Sequence, residues 1–308
     1  MYLSDIKGIF KDVILVSDGK FDNLANVTTA ESENCLVYIV ETKYLNKVIE
    51  NPKISCVWMS PNIYKQIEKQ GFPGSIGMIV SNNPQKDFFS FHNFLAENTT
   101  FYGTREKRYI DDSVKIGPNV CIPKYNVFIE EGVVIEPNVV ILENVRIKRR
   151  TLVGAGTIIG AEGFEFKFMN NSWKRVSHAG WVIIEKNVEL LSNCVVVKGL
   201  FPSRNTILQN EVKVDNLVNI SHGVKIGKRT RIAAGSVISG SVTIGEDVWI
   251  GPGACIRDGI TIGNKAIITM GAVVAENAPA GHRVTGNFAV DHKKFLIFLA
   301  EIKRQGKS

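Results

Sequence analysis

The sequence predicts a mainly β protein. Its centre is a parallel β-helix, a three-sided prism of short strands, with a small α/β region before it and a helix after it. Three observations carry this prediction. Between Leu208 and Val274 a branched aliphatic residue falls on every sixth position, twelve times in succession, a period that fits neither an α-helix nor a two-faced strand. The same beat runs with interruptions from Ile116 onward. Residues 1–108 have a different texture, in which short apolar runs alternate with helix-like stretches.

Within 1–108 the apolar runs Cys35–Val40, Ile54–Met59 and Gly77–Val80 read as strands. Pro61–Gln70 and Gln85–Glu97 read as helices, the second with Phe88, Phe89, Phe91 and Phe94 as core. From 109 to 285 the beat falls on Ile116 and Ile122, slips by one residue, and continues at Ile129, Ile135, Ile141, Ile147, Val153 and Ile159. It breaks over 160–181, returns at Ile184, Leu190 and Val196, skips Pro202, and is then unbroken to Val274. Glycine often follows the aliphatic residue, as at Gly117, Gly154, Gly227, Gly245, Gly251 and Gly263, and is expected to supply a positive-φ corner. Val218, Val224, Thr230, Ser236, Val242, Val248 and Ala254 sit two before it and are small enough for the inside of a corner. Three six-residue sides make a rung of about 18 residues, hence roughly eight or nine rungs. The prism leaves strand edges at both ends. The α/β region is expected to cap one end and the helix within 286–308, with Phe295, Leu296, Phe298, Leu299 and Ile302 on its apolar face, the other.

Composition sets further bounds. No apolar run in the 308 residues approaches the ~20 of a membrane span, and the start, MYLSDIKGIFKD, has no signal-peptide pattern. Five scattered cysteines without a C-x-x-C read as reduced thiols of a cytoplasmic protein. The net charge of +7 is spread along the chain rather than clustered with aromatics. That favours an anionic small substrate or an acidic partner over nucleic acid.

Four segments resemble the UDP-3-O-acylglucosamine N-acyltransferases, hexapeptide-repeat acyltransferases of the left-handed β-helix type. They are LVYIVETKYL at 36–45, GAEGFEF at 160–166, DNLVNISHGVKIG at 215–227 and GNFAVDHKKF at 286–295, and the likeness extends over roughly residues 1–300. The resemblance implies the left hand of the coil, a homotrimer with clefts between subunits, and a nucleotide-binding region at 1–108. It implies that His222 is the general base, a role suited to imidazole, and that Asp215 is its charge partner. By position His222 is read on a flat outer side of the prism with Gly240 one rung above it, where a backbone N–H can meet an oxyanion. Asn216 is a candidate for the sugar, and Phe164 and Phe166 for a sugar or acyl pocket, with His178 a reserve base. Tyr38 and Tyr44 match the pair that stacks on uracil, worth ~1–3 kcal/mol per aromatic. Between them Glu41 stands where the family has Asn and can accept the base N–H of uracil or thymine.

Other residues depart from the pattern. IRDGITIG lacks the family's second histidine, VVVKG lacks the acid and the arginine of the matching segment, and the closing stretch from Asp247 is also similar to acetyl-CoA-dependent acetyltransferases. The expected donor is therefore acetyl-CoA or another acyl-CoA, with Arg283 meeting its phosphates. The alternative donor is an acyl carrier protein thioester docked on Lys293, Lys294, Lys303 and Arg304. A metal would need three converging histidines, and the rung register sets Arg204, Gly240 and Asp258 beside His222 instead, so no metal is expected. The function expected is N-acylation, most simply N-acetylation, of a nucleotide-linked amino sugar for O-antigen, capsule or related glycan synthesis. The alternatives are the lipid A N-acyltransferase reaction and a non-catalytic nucleotide-sugar-binding β-helix.

Overall fold

The computed structural model describes residues 1–70, 72–169, 171–286 and 289–305. The remaining residues of the C-terminal segment, 287–288 and 306–308, lie outside the described residues.

The N-terminal layer is a five-stranded sheet of order β1-β5-β4-β3-β2, with β1 Ile14–Ser17, β2 Asn23–Leu24, β3 Cys35–Ile39, β4 Ile54–Met59 and β5 Gly77–Val80. Only β1 runs antiparallel to its neighbour. The helices are α1 Leu3–Ile9, α2 Leu45–Glu50, α3 Pro61–Gln70 and α4 Pro84–Asn98. The three apolar runs are the three inner strands, as a sheet buried on both faces requires. Phe88, Phe89 and Phe91 of α4 are buried with Trp58 and Phe21. They form the core that their spacing predicted.

The prism follows, and its three faces are parallel sheets of seven, eight and nine strands. Each strand pairs with the one a rung away, for example Ile220 with Ile238 and Ile238 with Ile256. From Leu208 to Val274 every aliphatic of the beat points inward and is at most 4% exposed. The residues two before them, Val218 to Ala254, are buried as well. This single column of branched side chains is the main hydrophobic core.

The corners correct one expectation. The left-handed backbone lies three residues after the aliphatic, not one: φ is +67° at Gly223, +68° at Gly235, +64° at Gly253, and also positive at Leu217, Arg229, Ser241 and Asp247. Asn119, Asn126, Asn138, Asn144, Asn187 and Asn193 hold the same conformation earlier in the chain, as the residue most tolerant of it after glycine. The glycine directly after the aliphatic is needed for space. A Cβ on Gly227 would stand 2.4 Å from the Gly245 carbonyl carbon, and one on Gly251 2.6 Å from the Met270 nitrogen. Only Gly160 in that position has a positive φ, +87°.

The beat also conceals an insertion. Val196 and Leu208 lie on successive faces, yet twelve residues separate them where six would turn the corner. The extra six form a loop around the short 3-10 turn Pro202–Arg204. A longer excursion leaves after Ile159 and returns at Val182, carrying a hairpin of Phe166–Met169 and Ser172–Arg175.

These two loops receive the N-terminal layer, so it lies against the flank of the prism and does not cap its end. Phe201 meets Phe88, Phe89 and His92 at ring centroid distances of 6.0, 6.5 and 4.7 Å. Ser203 Oγ donates to the Leu24 carbonyl at 2.7 Å. His92 is fully buried; its Nε2 donates to the Ser177 carbonyl and its Nδ1 accepts from Tyr102, both at 2.6 Å. Burial pushes this imidazole down to about 4.

The C-terminal helix α5, His292–Gln305, forms as predicted, but among the described residues its apolar face is not packed away: Phe295, Leu296, Phe298 and Ile302 remain about half exposed.

The two glycine roles separate on substitution. Gly227→Ala is expected to lower the thermal unfolding midpoint markedly, because the methyl meets backbone. Gly235→Ala, with open space at its Cβ but φ +68°, should cost only about 1–2 kcal/mol. Equal midpoints for the two variants would contradict the packing account.

Candidate active site

His222 follows the strand Asn219–Ile220 and sits at the corner of the prism, not on the flat side expected for it. The reason is the corner geometry above, in which the second and third residues after the aliphatic make the turn. One rung up is Gly240, where a Cβ would be 2.5 Å from His222 Nε2. No side chain fits there, so the ring lies directly against backbone. Among the described residues neither nitrogen of the His222 ring has a hydrogen-bond partner, and neither does the Gly240 N–H.

Some N–H groups two residues after the aliphatic are capped by a side chain, Ala155 by Glu136, Ser192 by Asn216, Glu246 by Asn264 and Ala234 by Asp215. Those of Lys228, Asp258 and Met270, like that of Gly240, have no partner among the described residues. At the corner of His222 the Gly223 N–H donates to Thr206 Oγ1 at 2.9 Å. What sets the Gly240 N–H apart is the His222 ring lying against it.

His222 and Gly240 stand between two clefts. The larger, of about 600 Å³, lies between the prism and the N-terminal layer and is lined on the prism side by His222, Gly240, Ser241, Asp258 and Gly259. Its opposite wall carries Asn26, Thr28, Thr29, Tyr38, Glu41 and Tyr44, and Glu165 and Lys167 of the excursion close it. The smaller, about 360 Å³, is lined by Gly163, Phe164, Val195, Val197, Asn219 and Ser221. Only His222 and Gly240 face both of these clefts.

Burial pushes the His222 imidazole below its ordinary value, opposed by the carboxylates of Glu165 and Asp258 and aided by Arg204. The ring is therefore neutral near pH 7 and free to accept a proton. His178 lies beside it, ring centroids 5.7 Å apart. Its Nδ1 donates to the Val176 carbonyl and its Nε2 accepts from the Gly163 N–H. Burial and the nearby His222 hold it down at about 3. With both nitrogens engaged it is a packing residue, which removes it as a reserve base.

Tyr38, Glu41, Tyr44, His222 and Gly240 are brought together around the larger cleft. The Tyr38 ring leans on Phe88 and Phe89 at 4.9 and 5.4 Å, and its hydroxyl accepts from Gln85. Tyr44 carries the Lys43 and Lys47 amines over its face at 5.0 and 5.9 Å, and Glu41 pairs with Lys43 at 2.8 Å. Phe164 is 92% exposed at the mouth of the smaller cleft.

Asp215 and Asn216 are not brought to His222 within the chain. Asp215 precedes the corner of another face, where its carboxylate accepts from the Asn216 and Ala234 N–H groups. Asn216 in turn caps Ser192. Seven residues exceed one side of the triangle, so both residues turn a neighbouring corner. Arg283 is on that same face, in a groove with Arg231, Trp249, Lys265 and Met270. Lys293, Lys294 and Arg304 are exposed on α5, and the Lys303 side chain lies outside the described residues.

Of the two carboxylates that face His222, Glu165 and Asp258, the rung register already sets Asp258 in the His222 column, 36 residues and two rungs on, without giving it a role. Glu165 sits in the aperiodic excursion and carried no such signal.

Comparison with known proteins gives three likenesses. The model of the bacterial transferase hexapeptide (six repeats) matches residues 126–161, 205–240 and 241–276. An 82-residue stretch is 44% identical to UDP-3-O-acylglucosamine N-acyltransferase of Acinetobacter baumannii, and a 75-residue stretch 39% identical to UDP-3-O-acylglucosamine N-acyltransferase 1 of Legionella pneumophila. The first covers 27% of this chain and 22% of the relative's length, the second 24% and 21%. The solved structure of LpxA from Acinetobacter baumannii superposes with a TM-score of 0.50 at 20% identity, over 66% of this chain and 77% of that one. The chain therefore carries hexapeptide repeats over those residues and has the left-handed parallel β-helix fold.

Proposed function

We propose that this protein transfers an acyl group from a thioester to the amine of a nucleotide-linked amino sugar. The observation that carries the reading is a juxtaposition: an imidazole held below its ordinary value by burial and without a hydrogen-bond partner among the described residues lies against Gly240, whose N–H is also unpartnered there, between two clefts. The amine attacks the thioester carbonyl carbon and gives its proton to His222. The C–N bond forms, and the Gly240 N–H holds the tetrahedral oxyanion. The C–S bond then breaks, and the protonated His222 returns the proton to the leaving thiolate.

The larger cleft suits the nucleotide sugar, with Tyr38 and Tyr44 offering faces to a base and Glu41 an acceptor to its N–H. Glu165 and Asp258 favour an amine over a hydroxyl as the acceptor, since a carboxylate pair attracts the ammonium form and holds it beside the base. The donor enters from the smaller cleft, whose valine walls fit a short acyl group. Acetyl-CoA or another acyl-CoA is the preferred donor, with the Arg283 groove of an adjacent copy as the place for its phosphates. Leu217, Val237, Met270 and Val273 are exposed apolar side chains on the prism, which supports packing against other copies in a homotrimer.

The similar proteins named above are N-acyltransferases of an acylated UDP-glucosamine, and that reaction is the second reading. It is favoured by the exposed α5, which presents Lys293, Lys294 and Arg304 with an uncovered apolar face to an acidic carrier protein.

With UDP- and dTDP-amino sugars as acceptors, His222→Ala should lower kcat by about 10²–10⁴-fold. Asp258→Asn should lower it more than Asp215→Asn. For wild type, log kcat/KM should fall on the acid side of a midpoint below 6.5, since protonation removes the base. Unchanged transfer by His222→Ala rules the mechanism out. Thiol release should be faster with acetyl-CoA than with acyl carrier protein thioesters; turnover with the carrier protein alone selects the second reading. Sedimentation should give three times the 34.1 kDa chain mass, and Leu217→Arg should reduce it; a monomeric wild type contradicts the trimer.

A further inference from the structure

Arg204 is 8% exposed and lies in the six-residue insertion that the period conceals. Its guanidinium reaches the backbone of both active corners. Nε donates to the Gly223 carbonyl at 2.9 Å, next to His222. Nη2 donates to the Ser241 carbonyl at 2.8 Å, next to Gly240, and to Thr243 Oγ1 at 3.0 Å. Nη1 pairs with Glu31 of the N-terminal layer, and Glu31 also binds Lys225. Glu31 is two residues beyond the segment of Asn26, Val27, Thr28 and Thr29 that walls the larger cleft.

One planar side chain thus joins the rung of His222, the rung of Gly240 and the loop against which a nucleotide would lie. The fixed fork of a guanidinium can hold three acceptors at set angles, which a flexible ammonium cannot. Burying it where it holds two carbonyls in register is costly unless those bonds are made.

We propose that Arg204 is the positioning residue of the site, clamping the Gly223 and Ser241 carbonyls so that the His222 ring and the Gly240 N–H keep their relative placement. Through Glu31 it ties the nucleotide-side loop to them. The inference rests on the acyl-transfer reading for its kinetic consequence and on the hydrogen bonds alone for its geometry.

Arg204→Lys keeps the charge and loses the fork. It should fold, and it should lower kcat about 10–100-fold with KM changed less than about 3-fold, as expected of reacting groups misplaced by an ångström or less. Glu31→Gln leaves the clamp on both carbonyls and should instead raise KM for the nucleotide sugar about 10-fold, more than it lowers kcat. A third readout needs no turnover. The groups that face His222 are Glu165, Asp258, His178 and Arg204. Arg204→Met should therefore raise the titration midpoint of the His222 ring, followed by NMR and assigned through His222→Gln. Arg204→Lys with wild-type kcat overturns the positioning role, as does an unmoved His222 titration in Arg204→Met. If wild type transfers no acyl group, the functional reading falls, while the NMR titration still decides whether Arg204 sets the His222 environment.

Discussion

The constraint on which the rest of this molecule depends is the stacking distance between rungs. Parallel strands at about 4.8 Å bring one corner close to the next, and at 227, 245 and 251 a Cβ would stand within 2.6 Å of the neighbouring rung, where glycine is found. The corners also carry N–H groups that the ladder does not use, and acidic and amide side chains from neighbouring positions satisfy some of them, Asp215 and Asn264 among those side chains. At Gly240 no such cap is present among the described residues, and the closeness puts the His222 ring against it. On the proposed reading that open N–H is left for a substrate.

An open corner would be solvated and of little use without walls. The walls come from the two departures from periodicity. The long excursion places Gly163, Glu165, Lys167 and His178 around His222. The shorter loop supplies Phe201, which wedges against the phenylalanines of α4, and Arg204, which ties the layers together. Burial then lowers the His222 imidazole while Glu165 and Asp258 restrain the shift. The site is half-dry and acidic, unlike the rest of a basic chain.

The column of aliphatics was fully legible, because a period of six repeated twelve times leaves few alternatives. So were the three inner strands of the N-terminal layer and the stacking of His222 beneath Gly240, since both follow from local pattern or register; the edge strands β1 and β2 were not. Three further things were not legible, for physical reasons. An insertion whose length equals the period leaves the beat intact, so the loop carrying Arg204 passed as a skipped residue. The family resemblance makes Asp215 the partner of His222, although seven residues exceed one side of the triangle. On a three-sided coil, proximity in space follows multiples of about eighteen residues, the register that sets Asp258 in the His222 column. The side chains of the excursion have no period, so the packing of His178 and the approach of Glu165 depend on tertiary contacts that spacing does not encode.

The way the chain leaves and rejoins the prism has a consequence of its own. The excursion departs after Ile159 and re-enters at Val182, which pairs with Val145 as if the intervening residues were absent. Registration is held by the neighbours above and below, not by the length of chain between two sides. A segment at such a junction can therefore be lengthened, shortened or exchanged without disturbing the column beneath it. The parts that shape the clefts are mechanically uncoupled from the part that keeps the molecule folded. A scaffold of this kind can change what it accepts by replacing one loop, while His222 and Gly240 stay where the stacking puts them.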